Sequence, residues 1–409
     1  MKIVIVGAGI SGLTTDLFLR KLSSHLHIPL DLIIYEKHRA APNVGNGVGA
    51  PTVGGALGLA PNGLHVLRDL DEELFLQVVA LGYSISHFSM RTSPGRTLAS
   101  FPAADSGKPP LHTLLISRQL FWETLRSKVP DDVVVHANIA EVQCHGSRRP
   151  RVIFADGAPD EEADLIIGAD GVRSIVKRAV TGDGKDDQQP AIFEGLVGVG
   201  GFMPASCLSP NHPPGQLTLT FGAHGFFGYG PCALSTPVNQ ADAVYDLPAS
   251  KCVWWSTYQI AELPEKDKLD FANIKRQLQQ RHGDWADPVI RDLVANAEID
   301  SIYPTWTTPE LPTWENSGIV LVGDAAHALQ TSSGQGASQA LEDAQTLPML
   351  LMHHLGKTDV ENAVRLASKE YVEIRKPRIK RIVDRAKQMG DMKRKKGLLE
   401  ECITYFSSG

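Results

Sequence analysis

The chain opens with a short apolar run that leads directly into three spaced glycines. The run KIVIV is rich in β-branched side chains, which is typical of a buried parallel strand. Gly7, Gly9 and Gly12 follow at the spacing G-x-G-x-x-G, and the next stretch, LTTDLFLRKLSS, predicts a helix. A strand, a glycine turn and a helix in this order constrain the fold strongly, because they predict an α/β domain with a parallel sheet.

Each glycine of this turn has its own physical role. Gly7 allows the tight turn, Gly9 removes a Cβ where a pyrophosphate must approach the backbone, and Gly12 lets the helix pack close to the strand. A pyrophosphate would lie at the helix N-terminus, where free N–H groups and the helix dipole attract anions. The alternative is an ordinary glycine turn, but the flanking strand and helix favour a dinucleotide site.

A second predicted strand, LDLIIYE, ends at Glu36, close to the usual spacing of about 20 residues beyond such a turn. A carboxylate there accepts hydrogen bonds from both ribose hydroxyls and repels a 2′-phosphate. The site therefore suits FAD or NAD rather than NADP. Lys37, the next residue, is a further candidate for cofactor binding.

Two more predicted strands end in an acidic turn followed by a helix. In EEADLIIGADGVRSIVKRAV the strand ends at Asp170, which either caps its own helix or contacts a dinucleotide. In GIVLVGDAAHALQTSSGQGASQALEDAQ the strand ends at Asp324, and Gly334 and Gly336 begin the helix that follows.

These three motifs, in this order, resemble those of the single-component FAD-dependent aromatic monooxygenases, the para-hydroxybenzoate hydroxylase class. The third motif is most similar to the salicylate-hydroxylase-like members, and the resemblance covers roughly residues 1–375. It implies a Rossmann-like α/β FAD-binding domain with an inserted antiparallel β-sheet domain for the substrate and C-terminal helices. The boundaries that it implies are 1–80, 100–185 and 295–360 for the FAD-binding domain, 81–99 and 186–294 for the substrate domain, and 361–409 for the helical segment.

The resemblance also implies roles for individual residues. Asp324 would bind the ribityl chain of FAD, Ala325 would leave room for it, and Arg118 would contact the cofactor. Backbone N–H groups at the start of the last helix would face the flavin pyrimidine, and Asp170 would lie between FAD and the nicotinamide donor. The glycine motif and the resemblance together predict the cofactor-binding residues Gly7, Gly9, Gly12, Glu36, Lys37, Arg118, Asp170, Asp324, Ala325, Gly334, Gln335 and Gly336.

The chemistry that the resemblance implies is oxygenation of a small aromatic or polycyclic molecule. NADPH or NADH would reduce the flavin as a transient donor, and O2 would add at C4a to give a hydroperoxide that hydroxylates, epoxidises or otherwise oxygenates the substrate. We identify no second G-x-G-x-x-G motif in the sequence, so we expect the donor to bind in a shared groove. Thr331 stands where the family usually has proline beside the flavin ring, which makes it a catalytic candidate.

The substrate region has a different pattern. QLTLTFGAHGFFGYGP and KCVWWSTYQI predict β-strands rich in aromatic residues, and His224 between them is a candidate base. A sheet has two faces, so at most about half of these side chains point at a substrate and the others form a core. The candidate substrate contacts are Phe226, Phe227, Tyr229, Trp254 and Tyr258.

Composition narrows the remaining possibilities. A net charge of −6 gives no indication of a nucleic-acid partner, and five scattered cysteines without a C-x-x-C pair argue against a metal site and for the cytoplasm. No run approaches the roughly 20 apolar residues of a membrane span. The basic C-terminal region predicts a solvated helix, with a membrane-surface role as the alternative.

The same motifs raise three other functional classes. A flavin-dependent halogenase is disfavoured because its W-x-W-x-I signature is absent from the sequence. A flavin-dependent oxidase or dehydrogenase on the same fold stays open, as does a non-catalytic carrier. The identity of the substrate and the oligomeric state are not readable from the sequence.

Overall fold

The computed structural model describes residues 1–38, 55–144, 149–182, 186–208, 212–223, 225–234, 249–263, 269–296, 298–299 and 302–394. His224, the candidate base, lies outside these described residues. The strands, in chain order, are β1 (Lys2–Val6), β2 (Asp31–Glu36), β3 (Ala56–Leu59), β4 (Tyr83–Ile85), β5 (His87–Thr92), β6 (Thr97–Pro102), β7 (Thr113–Ser117), β8 (Val134–His136), β9 (Ile139–Gln143), β10 (Arg151–Phe154), β11 (Glu161–Glu162), β12 (Leu165–Gly168), β13 (Ile192–Pro204), β14 (Gln216–Gly222), β15 (Gly225–Leu234), β16 (Ala249–Gln259), β17 (Ile302–Thr307), β18 (Glu315–Asn316) and β19 (Ile319–Leu321). The α-helices are α1 (Ile10–Leu26), α2 (Pro61–Leu70), α3 (Glu72–Leu81), α4 (Arg118–Arg126), α5 (Val176–Thr181), α6 (Phe271–His282), α7 (Pro288–Asn296), α8 (Asp324–His327), α9 (Gly336–Leu355) and α10 (Val360–Arg394).

The first sheet carries the predicted dinucleotide domain. Its order is β18-β19-β12-β1-β2-β8, and all neighbours pair in parallel except the edge strand β18. Ile3, Val4 and Ile5 of β1 have no exposed surface, because a central parallel strand is covered on both faces. The predicted strand, glycine turn and helix at the N-terminus are confirmed.

The second large sheet is the inserted one. Its order is β17-β13-β16-β15-β14-β5-β6, and the pairs are antiparallel apart from β14 with β5, which run in parallel. Its limits differ from the predicted ones in three places. Strand β17 falls in the range assigned to the FAD-binding domain, and β6 continues to Pro102, past the predicted end at residue 99. Strand β4 lies inside the predicted range 81–99 but pairs with β7 in a small sheet instead. Two small three-stranded sheets, β11-β10-β9 and β3-β7-β4, complete the α/β domain.

The two faces of the seven-stranded sheet belong to different hydrophobic cores. Leu217, Cys232 and Val253 lie in the main core, which they share with the first sheet and its helices. Phe227 and Trp254 lie in a second core between the opposite face and α6 and α7. The division follows the two-residue period of a strand, since adjacent side chains point to opposite faces.

The C-terminal part of the described chain is helical, as expected. α9 packs on α1, and the 35-residue α10 packs on α9. Among the described residues, no helix combines the length and the apolar character that crossing a membrane requires. The predicted helical segment is described as far as Arg394, and its remaining residues lie outside the described part.

Candidate functional site

The motifs meet at one edge of the first sheet. Val6, Gly168 and Leu321 occupy matching positions at the ends of three neighbouring parallel strands, β1, β12 and β19. The ladder continues past them, since the N–H of Ala169 donates to Val6 O at 2.8 Å. The carboxyl ends of parallel strands lie at the same edge, where α/β proteins bind their ligands. The glycine turn and both acidic turns therefore border one cleft.

The three glycines of the turn occupy different environments. Gly7 has φ +106°, and a Cβ there would lie 2.5 Å from the carbonyl oxygen of Ala169. A Cβ at Gly12 would overlap the carbonyl oxygen of Gly7, so this glycine allows the close approach of α1. A Cβ at Gly9 would have no heavy atom within 4 Å among the described residues. Two glycines thus serve packing, while Gly9 borders open space, as a bound pyrophosphate requires.

The N-terminus of α1 is open to an anion. Gly9 is its N-cap, no side chain caps it, and its first turn contains no acidic residue. Trp122 on α4 holds the glycine turn, because its indole Nε1 donates to the carbonyl oxygen of Ala8 at 2.7 Å. Arg118 lies one turn earlier on α4 with an exposed side chain. Sequence reasoning missed Trp122, which has no recognisable motif around it.

Glu36 contacts the same turn from the end of β2. Its Oε2 accepts the N–H of Ala8 at 2.8 Å, and its Oε1 accepts the N–H of His38 at 2.8 Å. Each carboxylate oxygen can accept a second hydrogen bond, so both remain able to bind ribose hydroxyls. Lys37 is exposed beside it. Contact of either residue with a cofactor stays a prediction.

The third motif is folded as a turn and a very short helix. Gly323 has φ +60°, and a Cβ there would lie 2.9 Å from the hydroxyl of Ser11 in α1. This left-handed, crowded position favours glycine. Asp324 begins α8 with an exposed side chain, while Ala325 is fully buried. The predicted ribityl acceptor is therefore accessible at the strand edge.

The N-terminus of α9 is also open. Gln335 is its N-cap, and no side chain caps the helix. A Cβ at Gly334 or Gly336 would have no described heavy atom within 4 Å. Thr331 begins a short 3-10 helix, is exposed, and accepts the N–H of Gly334 at 3.1 Å through its carbonyl. Free N–H groups beside open space can bind an electron-rich ring.

Asp170 has a structural role that the sequence left as an alternative. Its Oδ2 accepts the N–H of Ile175 at 2.7 Å and the N–H of Val176 at 3.3 Å, at the start of α5. Its Oδ1 is buried and has no hydrogen-bond partner among the described residues. Burial raises the pKa of this carboxyl group. The helix-cap role is visible, and the predicted contact with FAD and the donor stays a prediction.

Asp343 is a buried residue of the site that sequence reasoning missed. Its Oδ2 accepts the N–H of Gly323 at 2.9 Å and faces the Nε2 of His327 at 2.5 Å. Its Oδ1 accepts Nε of Arg375 at 2.7 Å. Burial alone would raise the pKa of Asp343, but His327 and Arg375 lower it to about 2. Asp343 thus fixes the turn that presents Asp324. In the sequence, the only indication of this role is an acidic residue on the buried face of the predicted helix α9.

Four of the five predicted substrate contacts are core residues, so those four predictions are wrong. Phe227, Tyr229, Trp254 and Tyr258 are only 0%, 2%, 1% and 6% exposed and lie in the second core. Phe227 stacks on Trp254 with ring centroids 5.6 Å apart, and the hydroxyl of Tyr229 donates to Asp287 at 2.8 Å. These side chains face α6 and α7, away from the strand edge with the cofactor motifs.

The face toward the first domain carries different aromatic residues. Phe226 lies on it, since β15 places Phe226 and Phe227 on opposite sides. Trp255 lies there too, paired with Gly228 of β15 and Gly200 of β13. Trp255 is half-buried and packs partly on the main core. Sequence reasoning chose Trp254 instead, because the pattern alone does not tell which of two adjacent tryptophans points inward.

Comparison with known proteins agrees with this architecture. The family model described as FAD binding domain matches residues 272–386. The 3-amino-4-hydroxybenzoate 2-monooxygenase of Streptomyces cremeus is 27% identical over 400 residues, which cover 96% of this chain and 87% of the relative. A salicylate hydroxylase of Pseudomonas putida is 26% identical over 408 residues, which cover 96% of this chain and 85% of the relative.

A solved structure shares the whole fold. HpxO of Klebsiella pneumoniae, complexed with FAD and uric acid, superposes with a TM-score of 0.76 at 20% sequence identity. The superposition covers 98% of this chain and 91% of that one. The likeness therefore includes the α/β domain, the inserted sheet and the C-terminal helices.

Proposed function

Because the chain belongs to the single-component FAD-dependent aromatic monooxygenases, we propose that it binds FAD at the shared strand edge and oxygenates a small aromatic or polycyclic substrate. NADPH or NADH is the transient donor in this proposal, and O2 is the co-substrate. When bound, FAD supplies the redox chemistry: it takes a hydride from the donor and activates O2 for oxygen transfer. The protein supplies binding, orientation and exclusion of water.

One observation carries this proposal. Two helix N-termini without side-chain caps, those of α1 and α9, open at the same strand edge. The glycines beside them, Gly9, Gly334 and Gly336, border open space in the described structure. Two such N-termini are suited to a ligand with two electron-rich parts, such as the pyrophosphate and the pyrimidine ring of FAD.

The residues divide the cofactor between them in the following way. The N–H groups at the start of α1 bind the pyrophosphate, and Arg118 adds a positive charge near it. Glu36 accepts hydrogen bonds from the hydroxyls of the adenosine ribose, and Asp324 accepts one from a ribityl hydroxyl. The N–H groups at the start of α9 stabilise the negative charge that the pyrimidine gains on reduction. Thr331 lies in the loop that precedes this helix and affects how long the reactive flavin survives.

The donor is proposed to approach near the second motif. Asp170 has one buried oxygen without a described partner, and this oxygen can accept a further hydrogen bond. Arg173, three residues later, is exposed and holds its guanidinium 4.7 Å from the ring centroid of Trp306. An exposed cation fixed in position by an aromatic ring suits a phosphate of the donor.

The seven-stranded sheet covers the substrate in this proposal. Its face toward the first domain presents Phe226 and Trp255, with Phe202 and Leu217 on the strands to either side. Apolar side chains above the flavin exclude water, which would otherwise divert the reaction to H2O2. We keep the cytoplasm as the predicted compartment, on the basis of the cysteine pattern.

Consumption of donor and O2 tests the function. The purified protein should oxidise NADPH or NADH in the presence of O2, faster with an accepted phenol, indole or quinolone than without one. Formation of an oxygenated product in proportion to the donor consumed supports a monooxygenase. Bleaching of the flavin by the organic substrate alone, without NAD(P)H, would instead assign an oxidase or dehydrogenase. A protein that binds no flavin would support the carrier.

A further inference from the structure

Trp255 lies in a slot made by glycines of the two neighbouring strands. It pairs with Gly228 on one side and Gly200 on the other. A Cβ at Gly228 would overlap the six-membered ring of the Trp255 indole, and one at Gly200 would lie 3.0 Å from the Cβ of Trp255. The indole therefore lies over the backbone of Gly228, and any larger residue at position 228 would prevent this position of the ring.

This slot lies on the sheet face that is turned toward the cofactor domain. Val253, two residues before Trp255 on the same strand, belongs to the core shared with the first sheet. Trp254, which points the other way, is 1% exposed in the second core. Trp255 keeps part of its surface uncovered by described residues. The indole thus rests on the sheet face that is turned toward the cofactor domain, and part of it is exposed.

We propose that Trp255 is the platform on which a flat aromatic ring of the substrate stacks, and that Gly228 keeps this platform level with the sheet. This inference rests on the proposed function and assigns its substrate class, a planar, mostly apolar ring system. Aromatic pairs favour offset stacking over a large contact area, and a flat ring covers the indole better than a puckered saturated ring of the same size. Phe226, one position along β15 on the same face, adds an aromatic edge to the same space.

A matched glycine on the opposite face provides the control. Gly222 of β14 also lies under a tryptophan, since a Cβ there would be 2.6 Å from Cζ2 of Trp285. Trp285 belongs to the second core, away from the proposed site. Gly222→Ala and Gly228→Ala therefore create the same kind of crowding on opposite faces of one sheet.

The experiment compares two probes that differ in planarity. 2-Naphthol is flat, and decahydro-2-naphthol has the same heavy atoms in a puckered, saturated skeleton. Both are neutral at pH 7, and both are titrated into the FAD-loaded enzyme while the change in flavin absorbance is recorded. We expect the wild type to prefer 2-naphthol, and Trp255→Leu to reduce that preference by about threefold to tenfold, the usual size of an aromatic pair. Trp255→Phe should restore most of it.

The two glycine variants distinguish a stacking role of Trp255 from a general effect of crowding on the stability of the sheet. Gly228→Ala should reduce the preference for the flat probe, whereas Gly222→Ala should leave it unchanged even if it lowers the melting temperature. Equal preference for the two probes in the wild type, or a preference that survives Trp255→Leu in flavin-loaded protein, would overturn the inference. Failure of the proposed function is distinguished from this, because it appears in the wild type as absence of flavin or of NAD(P)H oxidation.

Discussion

Glu36 works at the scale of single hydrogen bonds. Its two carboxylate oxygens accept the N–H groups of Ala8 and His38, and each can accept a second hydrogen bond. Because the side chain ends a strand and is only half-buried, its removal should affect a ligand more than the fold.

Replacing Glu36 by alanine should therefore weaken FAD binding. The loss of hydrogen bonds to a charged acceptor costs about 1–3 kcal/mol. FAD titration of the apoprotein, followed by quenching of flavin fluorescence, measures the change. Asp31→Ala, at the exposed start of the same strand, is the control and should bind as the wild type does. A collapse of the apoprotein melting temperature in Glu36→Ala would show a structural role instead.

Thr331 is the second residue whose role is local. The preceding residue, Gln330, has φ −56° and ψ 136°, the extended conformation that residues before proline favour. Thr331 is also the first residue of a 3-10 helix, a place where the fixed φ of proline is tolerated. The backbone here is thus compatible with the proline that the family resemblance implies at this position.

Thr331→Pro should keep FAD and change coupling. We expect the ratio of product formed to NAD(P)H consumed to shift by a few-fold, equivalent to about 1 kcal/mol between the competing barriers. Product analysis alongside donor consumption gives this ratio. Unchanged coupling at full flavin content would remove any catalytic role for Thr331, and loss of FAD would show that the loop takes another path when it is bound.

At the scale of elements, Arg375 ties α10 to the turn that presents Asp324. It is 2% exposed and donates to Asp343, to Glu342 and to the carbonyl oxygen of Gln339. Asp343 in turn accepts the N–H of Gly323. The position of the cofactor turn therefore depends on a helix that begins more than 30 residues later.

Removing this cation should be costly. Arg375→Met would leave the carboxylate of Asp343 buried without its guanidinium partner, and we expect a loss of about 3–5 kcal/mol in the free energy of unfolding. Urea unfolding of the apoprotein measures it. Lys369→Met removes an exposed pair with Glu373, 3.9 Å apart, and should cost no more than about 1 kcal/mol. Equal losses in the free energy of unfolding for the two variants would show that the buried network stabilises the fold no more than an exposed ion pair does.

The same network predicts a dependence on pH. Asp343 has a folded-state pKa of about 2, below the ordinary aspartate value of 3.8, so its charge stabilises the fold above about pH 4. This contribution is lost as pH falls from about 4 toward 2, where the folded-state group takes up its proton. The stability difference between the wild type and Asp343→Asn should be constant above pH 5 and shrink below pH 4. A difference that is independent of pH over this window would contradict the assignment.

At the scale of the whole molecule, sequence reasoning succeeded where the signal is local. Three features are each encoded by one contiguous segment, and the structure contains all three. They are the glycine turn, the strand that ends at Glu36 and the uncapped helix after Gly334. The register of the seven-stranded sheet is different, because it depends on pairing across the chain. Trp254 and Trp255 are adjacent, and only that pairing decides which of them faces the cofactor domain.

The network around Asp343 was beyond sequence reasoning for a related physical reason. Arg375 and Asp343 lie on different helices, and no sequence motif beside either residue indicates that the two are partners. A buried charge becomes explicable only when the side chain that compensates it is located in space.

The central claim is that one strand edge holds FAD, and the flavin content of purified protein tests it most directly. We expect yellow protein with about one FAD per chain. Asp324→Ala removes the exposed acceptor at this edge and should lower FAD affinity by about fivefold to 150-fold, or about 1–3 kcal/mol. Asp292→Ala, an exposed aspartate on α7, should retain the cofactor fully. A colourless protein that binds no added FAD, or an Asp324→Ala variant that keeps full occupancy on dilution, would contradict the account.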